Sequence, residues 1–101
     1  MAKVELFYEL SVAADKDIEA IFDYTLEEFG KAQAVIYVSG FDDAFAQLLD
    51  NPELGSKRSE IRKGLRSVVK ESHIVFHRVL KDRIRIARIL HASCDLPKFL
   101  T

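Results

Sequence analysis

The chain has one cysteine, no tryptophan, two prolines and four glycines in 101 residues. A single cysteine makes neither an intramolecular disulfide nor a thiolate metal site, so Cys94 reads as a small, partly buried side chain. Scarce glycine and proline, with no low-complexity tract and no internal repeat, set the chain apart from disordered segments. No apolar run approaches the roughly 20 residues of a membrane span. The N-terminus lacks a basic segment followed by an apolar block, so no secretory signal is expected. There is no HExxH, no glycine-rich phosphate loop, no GxSxG elbow and no helix-turn-helix pattern. What is expected is one cytosolic domain over residues 1–101, 49% hydrophobic, with a modest core, no metal and no cofactor.

Basic residues are nearly missing from the first half. Met1 to Gly55 holds three lysines against twelve acids, a formal charge of −9. Ser56 to Thr101 holds twelve bases against four acids, a formal charge of +8. The total of −1 therefore hides a dipolar molecule. Such asymmetry points to an acidic partner, protein or nucleic acid, for the basic half. The other possibility is that the halves neutralise each other within the fold.

Hydrophobic periodicity orders the elements. Lys3 to Leu10 alternates loosely and reads as a strand. Ser11 then precedes an acid-rich turn, an N-cap signal, and Gly30 is a natural helix stop. Ala14, Ile18, Ile21, Phe22, Thr25 and Phe29 fall on one face of that helix. A second helix runs from Lys31 to about Leu49, with a stripe of Ala34, Val35, Val38, Phe41, Phe45, Leu48 and Leu49. One glycine between two amphipathic helices demands an antiparallel hairpin. Leu54 to Gly64 is polar and turn-rich; then "LRSVVKES", "HIVFHRVL" and "IRIARILH" read as three strands, "KDR" separating the last two. The order β-α-α-β-β-β gives a two-layer α+β domain, a helical hairpin packed on an antiparallel sheet. A three-residue loop in the last hairpin sets Phe76 opposite Arg88 and His73 opposite His91, and a one-residue slip would exchange the faces.

The histidines are His73, His77 and His91, and no carboxylate set beside them suggests a metal. His91, at a strand end, suits acid–base chemistry near neutral pH and equally suits a sheet edge. Arg66, Arg78, Arg85 and Arg88 could bind phosphates through forked hydrogen bonds, or could simply form a solvated strand face. Only Phe76 lies among the arginines, so a stacking platform for single strands is weak.

The stretches "LSVAADKDIEAIFDYTLEEFG", "DNPELGS", "IRKGLRSV", "HIVFHRV" and "RILHASCDLPKFL" together resemble the ParE toxins of the RelE/ParE superfamily. The collinear matches cover Leu10–Gly30, Asn51–Gly55, Gly64–Arg66, His73–Val79 and Arg88–Asp95. The main departure is His77, where the family usually has tyrosine. The resemblance implies a toxin of a type II toxin–antitoxin pair, neutralised by a ParD-like antitoxin in a hetero-oligomer. It also implies DNA gyrase as the target, and no small-molecule substrate or membrane. RelE-like relatives are instead ribosome-dependent mRNA endonucleases. Aligned on those relatives, Ile74 stands at the position of their key arginine and Ala92 near that of their terminal histidine, with His91 one residue away. The resemblance thus implies a binding inhibitor with no catalytic residues rather than an enzyme. From charge and exposure, the surface expected to meet target or antitoxin is Arg66, Arg78, Arg85 and Arg88, with Leu96 and Phe99 of the tail.

Overall fold

The computed structural model describes residues 6–94. Its elements are β1 (Phe7–Leu10), α1 (Val12–Phe29), α2 (Lys31–Asp50), β2 (Ser56–Lys57), β3 (Leu65–Lys70), β4 (His73–Val79) and β5 (Arg83–His91). The helical hairpin packs on one face of a five-stranded sheet of order β1-β5-β4-β3-β2. This is the expected two-layer α+β class, with two differences. β1 pairs with β5 in parallel, so the sheet is mixed rather than antiparallel. The reason is topological: the helices carry the chain from β1 to the far side of the sheet, and the β3-β4-β5 meander returns it beside β1 in β1's own direction. The second difference is β2, two residues of the segment expected to be loop, held by the pairs Ser56↔Ser67 and Lys57↔Arg66. Of the first expected strand, Lys3 to Glu5 lie outside the described residues, and the observed strand begins at Phe7.

Ser11 fixes the start of α1 twice over. Its Oγ accepts from the Ala14 amide at 2.9 Å, capping the helix, and donates to the Ala87 carbonyl at 2.7 Å. Its own amide donates to the Ile86 carbonyl at 2.9 Å. The cap therefore also continues the β5 edge where β1 stops. Gly30 closes α1 through its N–H to the Leu26 carbonyl and opens α2 directly.

Between the layers lie Ala14, Ile21, Phe41, Phe45 and Leu48 of the helices and Val75, Ile84, Ile86 and Ile89 of the sheet. Full burial of each large side chain stabilises by about 1.5–3 kcal/mol. Phe29 and Val35, expected in the apolar stripes, are exposed because the hairpin tip beside Gly30 runs past this core. Ala44 is buried although it lay outside the expected stripe. A second cluster on the opposite sheet face joins Leu65, Phe76 and Leu90 to Ile61, Ile74 and Ala87. Residues 58–64 thus partly roof the face expected to be open.

The last hairpin is tighter than expected. The Leu80 amide donates to the Arg83 carbonyl at 2.8 Å, leaving Lys81 and Asp82 as the turn. His73↔His91 and Phe76↔Arg88 pair as expected, but from His77↔Ile86 to Val79↔Ile84 the register is one residue shorter. A bulge between Phe76 and His77 absorbs the difference, with Ala87 as the extra residue. Through it Ile84, Ile86 and Ile89 all reach the helix-side core.

Candidate functional site

The ladder assembles the site row by row. Glu9, Arg85, Arg78 and Leu65 stand in one line across β1, β5, β4 and β3. Leu65 shares its cluster with Phe76, so the row belongs to the face away from the helices. Glu9 accepts from Arg83 at 3.0 Å and from Arg85 at 2.8 Å. Those two guanidinium groups hold its carboxyl below the usual carboxylate range, Arg83 first. Arg78 instead donates to the Lys63 carbonyl at 3.1 Å. Two aromatic rings of this face already lie under guanidinium groups, Phe76 beneath Arg58 at 5.5 Å and Phe7 beneath Arg83 at 5.6 Å.

The four candidate arginines do not form one cluster. Arg78 and Arg85 are directly opposite each other. Arg88 lies at the α1 edge, where Asp17 accepts from its Nε at 2.8 Å and from a terminal nitrogen at 2.9 Å. Arg66, opposite His77, folds under the 51–55 loop and donates to the carbonyls of Glu53 and Gly55. Leu96 and Phe99 lie outside the described residues. Ion pairs of Arg83, Arg85 and Arg88 with Glu9 and Asp17 join the acidic and basic halves of the sequence. Part of the charge separation is thus spent inside the fold. Glu9 and Asp17 were missed as partners because they lie more than seventy residues from the arginines they bind. The parallel β1–β5 pairing brings Glu9 to Arg83 and Arg85, and α1 beside β5 brings Asp17 to Arg88; periodicity sees neither.

At the opposite end of the sheet the Tyr37 hydroxyl bonds His73 Nδ1 at 2.7 Å and accepts from the Ser72 amide at 3.3 Å. The His91 ring stands 5.3 Å from that of His73, edge to face. Ser93 holds His91 Nδ1 through its amide at 3.1 Å, with its hydroxyl at 2.7 Å. An N–H donated to Nδ1 makes that nitrogen the acceptor and places the proton of the neutral ring on Nε2. Among the described residues no group of three His, Cys, Asp or Glu side chains could hold a metal ion. Beside this cluster a cleft of about 420 Å³ is lined by Thr25, Phe29, Gln33, Tyr37 and Ser72. A second cleft, which shares Gln33 and Tyr37 with it, is lined further along α2 by Ile36, Ser39, Gly40 and Asp43 and across from them by Lys70 and Glu71. Ile36 is 64% exposed and Phe29 68% exposed, so the hairpin tip presents apolar surface to solvent.

Burial pushes the His73 ring below its ordinary value, the facing His91 adds to this, and Asp17 opposes it. His77 is fully buried, and neither ring nitrogen finds a hydrogen-bond partner among the described residues. Burial again lowers it most; the Pro52 and Val75 backbones oppose this, and Arg66 adds to it. Both rings are therefore favoured neutral in the folded chain. Their contribution to stability is fully present above the unfolded value near 6.5 and is lost as pH falls through the folded values. The urea midpoint should fall between pH 7 and pH 5, above the range where Glu9 and Glu60 titrate. His77→Gln should flatten that slope, and an unchanged slope would show that His77 is not its source.

The sequence model of the family described as "ParE toxin of type II toxin-antitoxin system, parDE" matches residues 8–96. Toxin ParE1 of Mycobacterium tuberculosis, strain H37Rv, is 35% identical over 94 residues, covering 92% of this chain and 96% of that protein. Toxin ParE1 of Caulobacter vibrioides is 33% identical over 88 residues, covering 87% and 91%. In the solved structure of the chromosomal ParDE TA system from P. aeruginosa, one chain superposes with a TM-score of 0.78 at 22% identity. It covers 90% of this chain and 100% of that one. That likeness speaks for the fold; the sequence matches speak for the family. The chain belongs to the ParE toxins of type II toxin–antitoxin systems.

Proposed function

We propose that this toxin inhibits DNA gyrase by binding, without turnover, and that a ParD-like antitoxin neutralises it in the cytoplasm. The observation that carries the non-enzymatic reading is the separation of the candidate arginines from the two histidines. Cleavage through a 2′-hydroxyl needs a base, an acid and a cation around one phosphorus. Here His91 and His73 share a row with Lys70, whereas Arg66 lies four residues along β3. That spacing is about 13 Å. Arg88 is engaged by Asp17. Lys70, the cation in the histidine row, lies along Gly40 of α2, and Tyr37 holds Nδ1 of His73. The two clefts along α2, with the exposed Phe29 and Ile36 beside Tyr37, suit the apolar side of an amphipathic antitoxin helix.

Expression without antitoxin should cause an SOS response and filamentation, and purified toxin should inhibit gyrase supercoiling. Prompt arrest of translation with supercoiling intact would sink the proposal. New cleavages inside codons of a reporter mRNA, abolished by His91→Ala in a folded protein, would replace it with a ribosome-dependent nuclease.

A further inference from the structure

The open-face row raises a question that the fold alone does not answer. Arg78 and Arg85 stand directly opposite each other on adjacent strands. Like charges in that relation destabilise a sheet. Glu9 offsets Arg85, but among the described residues Arg78 makes no ion pair, and its side chain donates to a carbonyl of the 58–64 loop. That loop adds Arg62 and Lys63, both exposed and without acidic partners among the described residues. The helical layer behind carries nine carboxylates and two lysines. The charge dipole therefore runs through the two layers and turns this one face toward any polyanion.

We infer that this face binds the phosphate backbone of duplex DNA directly, through Arg78, Arg62 and Lys63 with Arg85 beside them. Adjacent strands set guanidinium groups about 4.8 Å apart at the backbone, and long side chains spread them to the separation of successive phosphates. A single strand would need an aromatic platform for its bases. Phe76 is buried and Phe7 lies under Arg83, so phosphates rather than bases are what this face can hold. Binding of this kind is independent of base sequence.

The test uses the full chain and a labelled short duplex, with no gyrase present, so its outcome is independent of the gyrase reading. Three phosphate contacts give a slope of log affinity against log salt of about −2.7. Affinity should then fall about 40-fold from about 50 to about 200 mM salt. Arg78→Gln should weaken binding at low salt and reduce the slope to about −1.8, and Arg62→Gln with Lys63→Gln should reduce it further. Lys31→Gln, on the helical layer, should change neither. Circular dichroism and urea midpoints establish that each variant is folded. No duplex binding at low salt, or slopes untouched by Arg78→Gln, would overturn the inference. Tighter binding of a single-stranded RNA or an acidic peptide than of the duplex would overturn it too.

Discussion

Gly55→Ala is expected to cost about 4 kcal/mol or more, a large part of the 5–15 kcal/mol by which a domain of this size is stable. Two independent penalties meet at this residue. Its φ is +86°, in the region that side chains with a Cβ avoid. A Cβ built there would also stand 2.1 Å from the Ser67 carbonyl oxygen and 2.5 Å from a methyl of Val68. The oxygen belongs to β3, which is paired on both sides near this point, so neither strand nor loop can yield cheaply. Gly30 isolates the first penalty. Its φ is +90°, but nothing lies within 4 Å of an added Cβ. Gly30→Ala should therefore cost only the backbone term, about 1–3 kcal/mol. Urea unfolding of the two variants makes the comparison. Equal midpoints would mean that close approach to β3 contributes nothing. The functional consequence follows from Arg66, which donates to the carbonyls of Glu53 and Gly55. Displacing the loop releases that guanidinium, so toxicity should fall along with stability.

How much of this was legible in the sequence depends on the range of the interaction. The caps at Ser11 and Gly30, the helical hairpin and the β3-β4-β5 meander are local in origin, and the local pattern announces them. The register near His73 and His91 follows from chain geometry and is as expected. The bulge at Ala87 is different. It is required by a two-residue turn at one end of the hairpin and a longer register at the other, a conflict that period-2 counting cannot express. The parallel placement of β1 is set by the sheet as a whole, and with it goes the partner of Arg83 and Arg85; that of Arg88 comes from α1. The candidate site was therefore readable as a set of cations but not as a geometry. Arg78 and Arg85 share a face, whereas the 51–55 loop takes the guanidinium of Arg66 and Asp17 of α1 takes that of Arg88. Tyr37 was absorbed into no expected site because its role rests on a hydroxyl, and helical periodicity sees only its ring.

Asp17→Ala is expected to cost about 3 kcal/mol, the range found when one partner of a poorly exposed ion pair is removed. The Asp17 side chain is 14% exposed and that of Arg88 is 24% exposed. One carboxylate oxygen accepts from Arg88 Nε at 2.8 Å and from the Ile89 amide at 2.9 Å; the other accepts from Arg88 at 2.9 Å. The residue thus has two tasks. It balances a guanidinium, and it occupies an amide of β5 beyond the point where β1 ends. Asp17→Asn keeps an oxygen acceptor but loses the charge, so its cost should fall between zero and that of alanine. A double-mutant cycle with Arg88→Ala separates the tasks. If the ion pair dominates, Asp17→Ala should cost little once Arg88 is gone, and the coupling should reach about 1–3 kcal/mol. If the edge amide dominates, the Asp17 cost should persist in the Arg88→Ala background. The geometry, with two carboxylate bonds to the guanidinium and one to the amide, leads us to expect coupling as the larger part. A coupling near zero with Asp17→Ala still costly would leave the helix tied to β5 by its edge bond alone.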